Sequence, residues 1–335
     1  MYFTEVFVLF SQAFLPLAVL GSLVFVNGWT DAPNAITCPV VTGCLSKEKA
    51  VLMAGVMNLI GCASTCMIGG KVADVTLSLA SFGDGSGAMK ALCIGILSVV
   101  IWSVFAWFFG IPTSESHGML AALSGAAMAY AIKNSDGIGG AVSGGAWRNI
   151  LIGLIVSTLP VFAMAGLMSA FFARRDKKRE KSRDGFYTKA QIFGAAATSF
   201  MHGAEDGQKF VGICFMILSV LGIPHRSYTL PIAAVVALVM TLGTLCGGGR
   251  IIEHTGRDMA KLDKRAGFCA DLSASAVLLL CVVFGLPVST THAKTCAIMG
   301  AGKGINKSVV REMLLAWILT FPVCALLGFA GVMLF

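Results

Sequence analysis

The segment NGWTDAPNAI, residues 27–36, places a carboxylate two residues before a proline within a long apolar stretch. Pro33 removes a backbone donor and clashes with the preceding helical turn, so the segment predicts a broken helix. Asp31 and Asn34 are three residues apart and would share one helix face. A carboxylate beside freed backbone carbonyls could hold a small hard cation. The simpler alternative is a polar contact with a neighbouring helix.

A second segment, HGAEDGQKF at residues 202–210, also concentrates charge within an apolar stretch. It carries Glu205, Asp206 and Lys209. Because Asp206 and Lys209 are three residues apart, they could form an ion pair whose role is only structural. Charged groups are expensive inside a membrane, however, and there they mark functional sites. We therefore interpret this segment as part of a binding site.

Two further segments, GIPTSESHG at 110–118 and GLPVSTTHA at 285–293, share Gly, Pro, Ser and His in register. Proline is favoured in the first turn of a helix, where free amides and the helix dipole attract anions. The hydroxyl donors in these segments are Ser114, Ser116, Ser289, Thr290 and Thr291. Two such helix starts facing each other would form a cradle for a tetrahedral oxyanion, whereas alone each could be an ordinary cap. His117 and His292 are interpreted as hydrogen-bonded packing residues.

The four segments form an internal repeat. The segments 110–118 and 285–293 are 175 residues apart, and so are the two charged segments. The same offset relates three pairs of residues: Gly28 and Gly203, Asp31 and Asp206, and Gly125 and Gly300. A shared offset for two unrelated motifs is much stronger than either match alone, although a duplicated structural bundle would also be repeated.

Composition places these segments in a membrane. The 335-residue chain is 56% hydrophobic and 13% charged, with a mean hydropathy of +0.83, which predicts an all-α polytopic membrane protein. The first apolar stretch lacks the basic start of a signal peptide. The predicted spans lie near 4–26, 50–69, 89–109, 113–131, 149–172, 190–221, 229–246, 268–284, 288–302 and 312–335.

The placement of basic residues predicts the topology. If the charged linker 173–189 is cytoplasmic, 18 of the 25 Lys and Arg residues fall inside and 5 outside, as the positive-inside rule requires. This placement also argues against nucleic acid as the partner of a chain with net charge +8. Both termini are then outside, and the halves 1–172 and 190–335 have opposite orientations. Inverted repeats with interrupted helices indicate a secondary transporter.

Charge within the predicted spans indicates the coupling. The acids Asp31, Glu115, Glu205 and Asp206 outnumber the bases Lys209 and Lys294, which leaves a formal charge of −2 if all are ionised. A divalent oxyanion would be repelled by such a site unless cations accompanied it. Given an anionic substrate, this balance predicts symport with Na⁺ or H⁺.

The motifs resemble those of the PiT inorganic phosphate transporters over nearly the whole chain. NGWTDAPNAI and HGAEDGQKF resemble the two copies of that family's signature, and PVSTTHAKT and IPTSESH resemble its paired hairpin motifs. The resemblance implies two inverted-topology repeats with broken helices and re-entrant helical hairpins, and phosphate as substrate. It implies substrate binding by Asn34, Thr113, Ser114, Ser116, Gln208, Lys209, Ser289, Thr290 and Thr291. It implies cation or proton coupling by Thr30, Asp31, Glu115, Glu205 and Asp206, with Asp31 and Asp206 as candidate Na⁺ ligands.

Several departures and alternatives remain open. Thr30 and Glu205 stand where the family has asparagine, and Glu115 replaces a small residue, so Lys209 could stand in for one cation and an acid could carry protons.

The resemblance implies no resident cofactor, a lipid bilayer as surroundings, and a homodimer as a candidate assembly. Sulfate is the alternative substrate and an anion channel the alternative mechanism. A metalloenzyme is disfavoured because no HExxH spacing occurs.

Overall fold

The computed structural model describes residues 2–109, 113–135, 137–178, 183–247, 252 and 254–335. These residues form helices and short connections, with two isolated β-bridges. The helices are α1 (Tyr2–Thr30), α2 (Ala32–Ala35), α3 (Thr37–Val41), α4 (Lys47–Ile68), α5 (Lys71–Leu77), α6 (Gly85–Phe108), α7 (Glu115–Lys133), α8 (Gly144–Asp176), α9 (Asp184–Val220), α10 (Thr229–Cys246), α11 (Lys264–Phe284), α12 (Thr290–Ala301) and α13 (Lys307–Leu334). Short 3₁₀ turns lie at Ile138–Gly140 and His225–Tyr228, and a π-helical turn at His254–Asp258.

The apolar helices confirm an all-α polytopic membrane protein. Within the described residues, seven helices are long and apolar enough to cross a membrane. Two other spans predicted from the sequence, 190–221 and 288–302, are not among these seven helices. Helix α9 carries three charged residues near its middle, and α12 has only 12 residues, about 18 Å against the ~30 Å of a hydrocarbon core.

The predicted helix break is present in the first half and absent in the second. Helix α1 ends at Thr30, Asp31 precedes the four-residue α2, and a further short helix follows. The implied break at the second copy is wrong, because α9 runs without interruption through Asp206. The physical reason is that Pro33 has no proline counterpart: Gln208 occupies the equivalent position and keeps its backbone donor.

Two helical hairpins, α6–α7 and α11–α12, bring the GxPxSxxH motifs to their tips. Both second limbs begin with the same cap: the Ser114 hydroxyl accepts from the backbone N–H of His117, and the Ser289 hydroxyl accepts from that of His292, each at 3.2 Å. Gly285 turns the second tip with φ +67°, a conformation that favours glycine. The first three residues of the other motif, 110–112, lie outside the described residues.

Close helix contacts cross between the two sequence halves in matched pairs. Helix α1 packs on α10 where a Cβ on Gly28 would lie 2.1 Å from the Met240 carbonyl oxygen. Helix α9 packs on α4 where a Cβ on Gly203 would lie 2.2 Å from the Asn58 carbonyl oxygen. Gly28 and Gly203 are the pair related by the 175-residue offset, so the repeat seen in the sequence also orders the packing.

The hairpins show the same exchange. Helix α7 packs on α13, where a Cβ on Gly125 would lie 2.1 Å from the Ala325 carbonyl oxygen. Helix α12 packs on α8, where a Cβ on Gly300 would lie 2.2 Å from the Phe162 carbonyl oxygen. Each hairpin therefore rests on a long helix of the other half, as small residues at membrane helix contacts allow. The opposite membrane orientation of the halves stays a prediction.

The region predicted as a basic linker, 173–189, consists largely of helix ends. Helix α8 continues to Asp176 and α9 begins at Asp184, while residues 179–182 lie outside the described part. Asp176 accepts a hydrogen bond from Tyr187 at 2.7 Å and lies near Arg183 and Arg265. Asp176 at the end of α8 is thus linked by a hydrogen bond and by charge to residues at the start of α9 and α11.

Candidate functional site

The four motif segments meet in the interior of the protein. The α1–α2 break, the middle of α9 and the two hairpin tips contribute the side chains, and every predicted site residue is buried. These residues are Thr30, Asp31, Asn34, Thr113, Ser114, Glu115, Ser116, Glu205, Asp206, Gln208, Lys209, Ser289, Thr290 and Thr291. Charge is buried here only where a partner or a ligand offsets the loss of hydration, so the individual contacts decide what the site can bind.

The first-half side of the site is rich in carboxylate and amide oxygens. The Asp31 carboxyl is near the Thr291 hydroxyl and the Glu115 backbone, so it faces both hairpin tips. Thr30 Oγ1 donates to the Val26 carbonyl at 2.9 Å and lies 3.3 Å from Glu115 Oε2. Among the described residues, Asp31 Oδ2, Glu115 Oε1 and Asn27 Oδ1 have no hydrogen-bond partner. Carboxylate and amide oxygens are the ligand types that small hard cations take in proteins.

Asn34 completes this side by linking the break to the second hairpin. Its Nδ2 donates to the Asp31 carbonyl at 3.1 Å and to Thr291 Oγ1 at 3.1 Å. The amide therefore fixes the broken backbone against the tip of α11–α12. Asp31 and Asn34 do face one region, as their spacing predicts.

Asp206 is the centre of the second-half side. Its Oδ2 accepts from Asn27 Nδ2 at 3.2 Å and lies 3.3 Å from His202 Nε2. Its Oδ1 accepts from Ser116 Oγ at 3.2 Å and from Lys209 Nζ at 2.7 Å. One carboxylate thus joins α1, α9 and the first hairpin tip, and a fully paired carboxylate of this kind rigidifies its surroundings.

Glu205 orders the tip of the second hairpin. Its Oε1 accepts from the backbone N–H of Val288 at 2.7 Å and lies 3.5 Å from Lys209 Nζ. Its Oε2 has no hydrogen-bond partner within the described part of the chain. Glu205 therefore holds the turn before α12 in place and still presents one oxygen to the site.

The two hairpin tips touch through their histidines. The rings of His117 and His292 have centroids 4.7 Å apart, with His117 stacked on Phe321 and His292 against Trp317. Both are buried, and none of their ring nitrogens has a hydrogen-bond partner among the described residues. Both histidines are packing residues, as the sequence predicts. The hydrogen bonds predicted for them are absent among the described residues.

The tip hydroxyls have different roles. Ser114 and Ser289 are helix caps, since each accepts a backbone N–H of its own helix. Ser116 contacts Asp206, and Thr291 contacts Asn34. Within the described residues, Thr290 Oγ1 has no hydrogen-bond partner.

Gln208 turns toward a different element. Its Oε1 accepts from the backbone N–H of Val72, at the start of α5, at 3.1 Å, and its Nε2 donates to the Ala204 carbonyl at 3.0 Å. Both ends of the amide are therefore engaged. In this structure Gln208 links α5 to α9. The resemblance implies that Gln208 binds substrate, and the residue lies beside that site.

Sequence reasoning missed one buried ion pair. Lys294 on α12 binds Asp271 on α11 and donates to the Ala35 carbonyl at 3.0 Å. Asp271 lies in the apolar span 268–284, and the charge count over the predicted spans does not include it. Because Asp271 neutralises Lys294, Lys209 is the one buried Lys or Arg left, among the described residues, to balance Asp31, Glu115, Glu205 and Asp206. The site's formal charge is therefore −3 if all groups are ionised, one unit more negative than the sequence count of −2.

Comparison with known proteins agrees with this architecture. A probable low-affinity inorganic phosphate transporter of Bacillus subtilis (strain 168) is 31% identical over 316 residues, 91% of each chain. One of Rhizobium meliloti (strain 1021) is 31% identical over 322 residues, 91% of this chain and 90% of the relative. A solved structure described as the sodium-dependent phosphate transporter has a TM-score of 0.79 at 19% identity, covering 97% of this chain and 98% of that one.

The relatives carry names of transporters, not of enzymes. The sequence pattern of the family described as the phosphate transporter family matches residues 27–181 and 169–328. These two matches contain all four motifs and the whole buried site described above. The chain is therefore a multi-pass membrane protein that belongs to the phosphate transporter family.

Proposed function

We propose that this protein imports inorganic phosphate together with Na⁺ or H⁺, by alternating access to the buried site. The observation that carries the proposal is the meeting of two hairpin tips, with their capped helix starts, at buried carboxylate oxygens that have no partner among the described residues. Helix starts with hydroxyl donors suit a tetrahedral oxyanion. The names of the relatives support phosphate, and the name of the structural neighbour supports sodium.

Charge balance supports the need for a coupling cation. Four carboxyl groups against one ammonium repel an entering anion strongly at low dielectric. A cation bound near Asp31 and Glu115, or protons on these groups, would offset that repulsion. Phosphate suits such a site better than sulfate, because phosphate can donate protons to the carboxylates.

Orientation and cellular role complete the proposal. The basic residues predict a cell-membrane protein with both termini outside and the 173–189 region cytoplasmic. With opposed halves, the two hairpins enter from opposite faces and close the site from both sides. Reaction of single introduced cysteines at residues 2 and 178 with an impermeant thiol reagent tests this orientation.

The proposed function is tested by uptake into proteoliposomes of purified protein. We expect labelled phosphate to accumulate when a Na⁺ or H⁺ gradient is imposed and labelled sulfate to remain at the level of empty vesicles. Counterflow of labelled phosphate should also occur, because a carrier exchanges substrate whereas a channel does not. Sulfate accumulation, or phosphate flux without counterflow, would replace the proposal by the sulfate or the channel alternative.

Thr290→Ala is expected to weaken phosphate binding by about tenfold to a hundredfold. A buried hydroxyl donating to a charged acceptor is worth about 1.5–3 kcal/mol, and Thr290 Oγ1 is unpartnered within the described residues. Calorimetric titration with phosphate measures the change.

Thr295→Ala is the matched control for that measurement. Thr295 lies on the same helix, is equally buried, and its hydroxyl also has no partner in the described part of the chain, but it is more than one turn beyond the tip. If both variants and the parent bind phosphate with equal affinity, phosphate does not bind at the tip of α12.

A further inference from the structure

The Lys209 ammonium is enclosed by oxygen atoms from three elements. Its Nζ donates to Asp206 Oδ1 at 2.7 Å, to Ser116 Oγ at 2.9 Å and to the Val288 carbonyl, and Glu205 Oε1 lies at 3.5 Å. The side chain is 1% exposed. An ammonium has three donors, and the three nearest oxygens use all of them.

This shell has the composition of a metal-cation site. Carboxylate, hydroxyl and backbone carbonyl oxygens are the ligands that hard cations take in proteins. The shell also spans both hairpin tips, through Ser116 and Val288, and the charged segment of α9. A positive charge at this point therefore ties together the same elements that a bound cation would.

The repeat shows what stands at the equivalent place. Lys209 is 175 residues after Asn34, a neutral amide. On the Asn34 side, Asp31 Oδ2 and Glu115 Oε1 lack hydrogen-bond partners among the described residues. The charge of Lys209 is near enough to attract the Asp31 carboxylate electrostatically. One side of the site thus holds an ammonium in direct contact and leaves Glu205 Oε2 open among the described residues, whereas Asp31 and Glu115 on the other side each have an open oxygen.

We propose, building on the proposed function, that Lys209 is a tethered cation that replaces one coupling ion. The ammonium stabilises the Asp206 and Glu205 carboxylates and the closed tips in every transport cycle, and it is never released. The exchangeable coupling cation binds on the Asp31–Glu115 side. This protein then moves one coupling cation fewer per phosphate than it would with a neutral residue at position 209.

The alternative is that Lys209 is only a structural partner of Asp206. Buried ion pairs do not by themselves indicate function, since exchange for apolar residues is often neutral for stability. The two interpretations differ in what happens when the ammonium is removed. A tethered cation leaves a cation-sized oxygen shell that a free ion can fill, whereas a structural pair leaves only unpaired carboxylates.

The test is Lys209→Asn, which copies the first half, with coupling cations per phosphate measured from reversal potentials for Na⁺ and H⁺ gradients in proteoliposomes. We expect the variant to couple one more cation per phosphate than the parent. The double variant Asp271→Ile/Lys294→Met is the control. It removes the other buried ammonium and places there the residues found 175 positions earlier, Ile96 and Met119. We expect the control to retain the parent ratio.

If Lys209→Asn transports too slowly for the ratio of cations to phosphate to be measured, cation binding to the purified proteins provides a second test. We expect Lys209→Asn to bind one more Na⁺ than the parent by calorimetry and to gain thermal stability with Na⁺ as mass action requires. An unchanged transport ratio in an active variant, or unchanged Na⁺ binding in an inactive one, overturns the tethered cation. If the parent fails to transport phosphate, the proposed function fails, and the binding comparison still decides the role of Lys209.

Discussion

Replacing Asp31 by asparagine is expected to abolish cation-coupled phosphate uptake while the protein still folds. The carboxyl is 4% exposed, faces both hairpin tips, and has one oxygen without a partner among the described residues. Asparagine keeps the shape and a hydrogen-bonding oxygen but loses the charge that holds a cation. Loss of a charged contact of about 3 kcal/mol lowers affinity roughly a hundredfold. Initial rates of labelled phosphate uptake under a Na⁺ or H⁺ gradient measure the effect.

Asp206→Asn is the informative comparison for that result. Asp206 accepts from Asn27, Ser116 and Lys209, so its neutralisation leaves a buried ammonium poorly paired. Breaking a buried pair costs about 3–5 kcal/mol, so this variant should lose thermal stability as well as uptake. Full uptake by Asp31→Asn, or equal stability of the two variants, would contradict the division of roles between the two sides of the site.

Gly28→Ala is expected to prevent correct packing of α1 and to remove most folded protein. The added Cβ would lie 2.1 Å from the Met240 carbonyl oxygen and 3.0 Å from its carbon, so the α1 and α10 backbones would have to separate. Overpacking in a tight core costs about 1–3 kcal/mol, and a backbone contact gives the least room for relaxation. Size-exclusion profiles and thermal unfolding in detergent measure the loss.

Gly21→Ala on the same helix is the matched control. Nothing lies within 4 Å of the Cβ that this change would add, and alanine favours a helix by about 1 kcal/mol relative to glycine. Gly21→Ala should therefore match or exceed the parent in thermal stability. A folded, fully stable Gly28→Ala protein would show that α1 and α10 are not held as closely as described.

The sequence predicted the parts of this protein that depend on local chemistry. Pro33 disfavours a continuous helix at its own position, where α1 ends and α2 begins. The GxPxSxxH motifs begin helices by the same serine cap in both halves. The burial of the charged residues followed from their placement in apolar spans. These features need only the residues next to them in the chain.

What the sequence did not predict depends on partners that are far away in the chain. The continuity of α9 was missed because the repeat suggested a break, although the residue that causes it is absent from the second copy. Gln208 and Lys209 also contact the backbones of Val72 and Val288, which no local pattern in the sequence connects to them. The pairing of Asp271 with Lys294 needs two limbs of one hairpin to be brought together.

The exchange of helices between the halves has a consequence for how the protein is made. Gly28 on α1 finds its contact at Met240, about 210 residues later in the chain. At a synthesis rate of ~5–20 residues per second, roughly 10 to 40 s pass between the synthesis of α1 and the synthesis of its partner α10. During that time the glycine face of α1 and the Asp31 carboxyl have no native packing partner from α10 or α9. Until the second half arrives, the faces of α1 and α4 that later pack on α10 and α9 contact lipid or the insertion machinery, and a chain that stops after residue 178 lacks these packing partners.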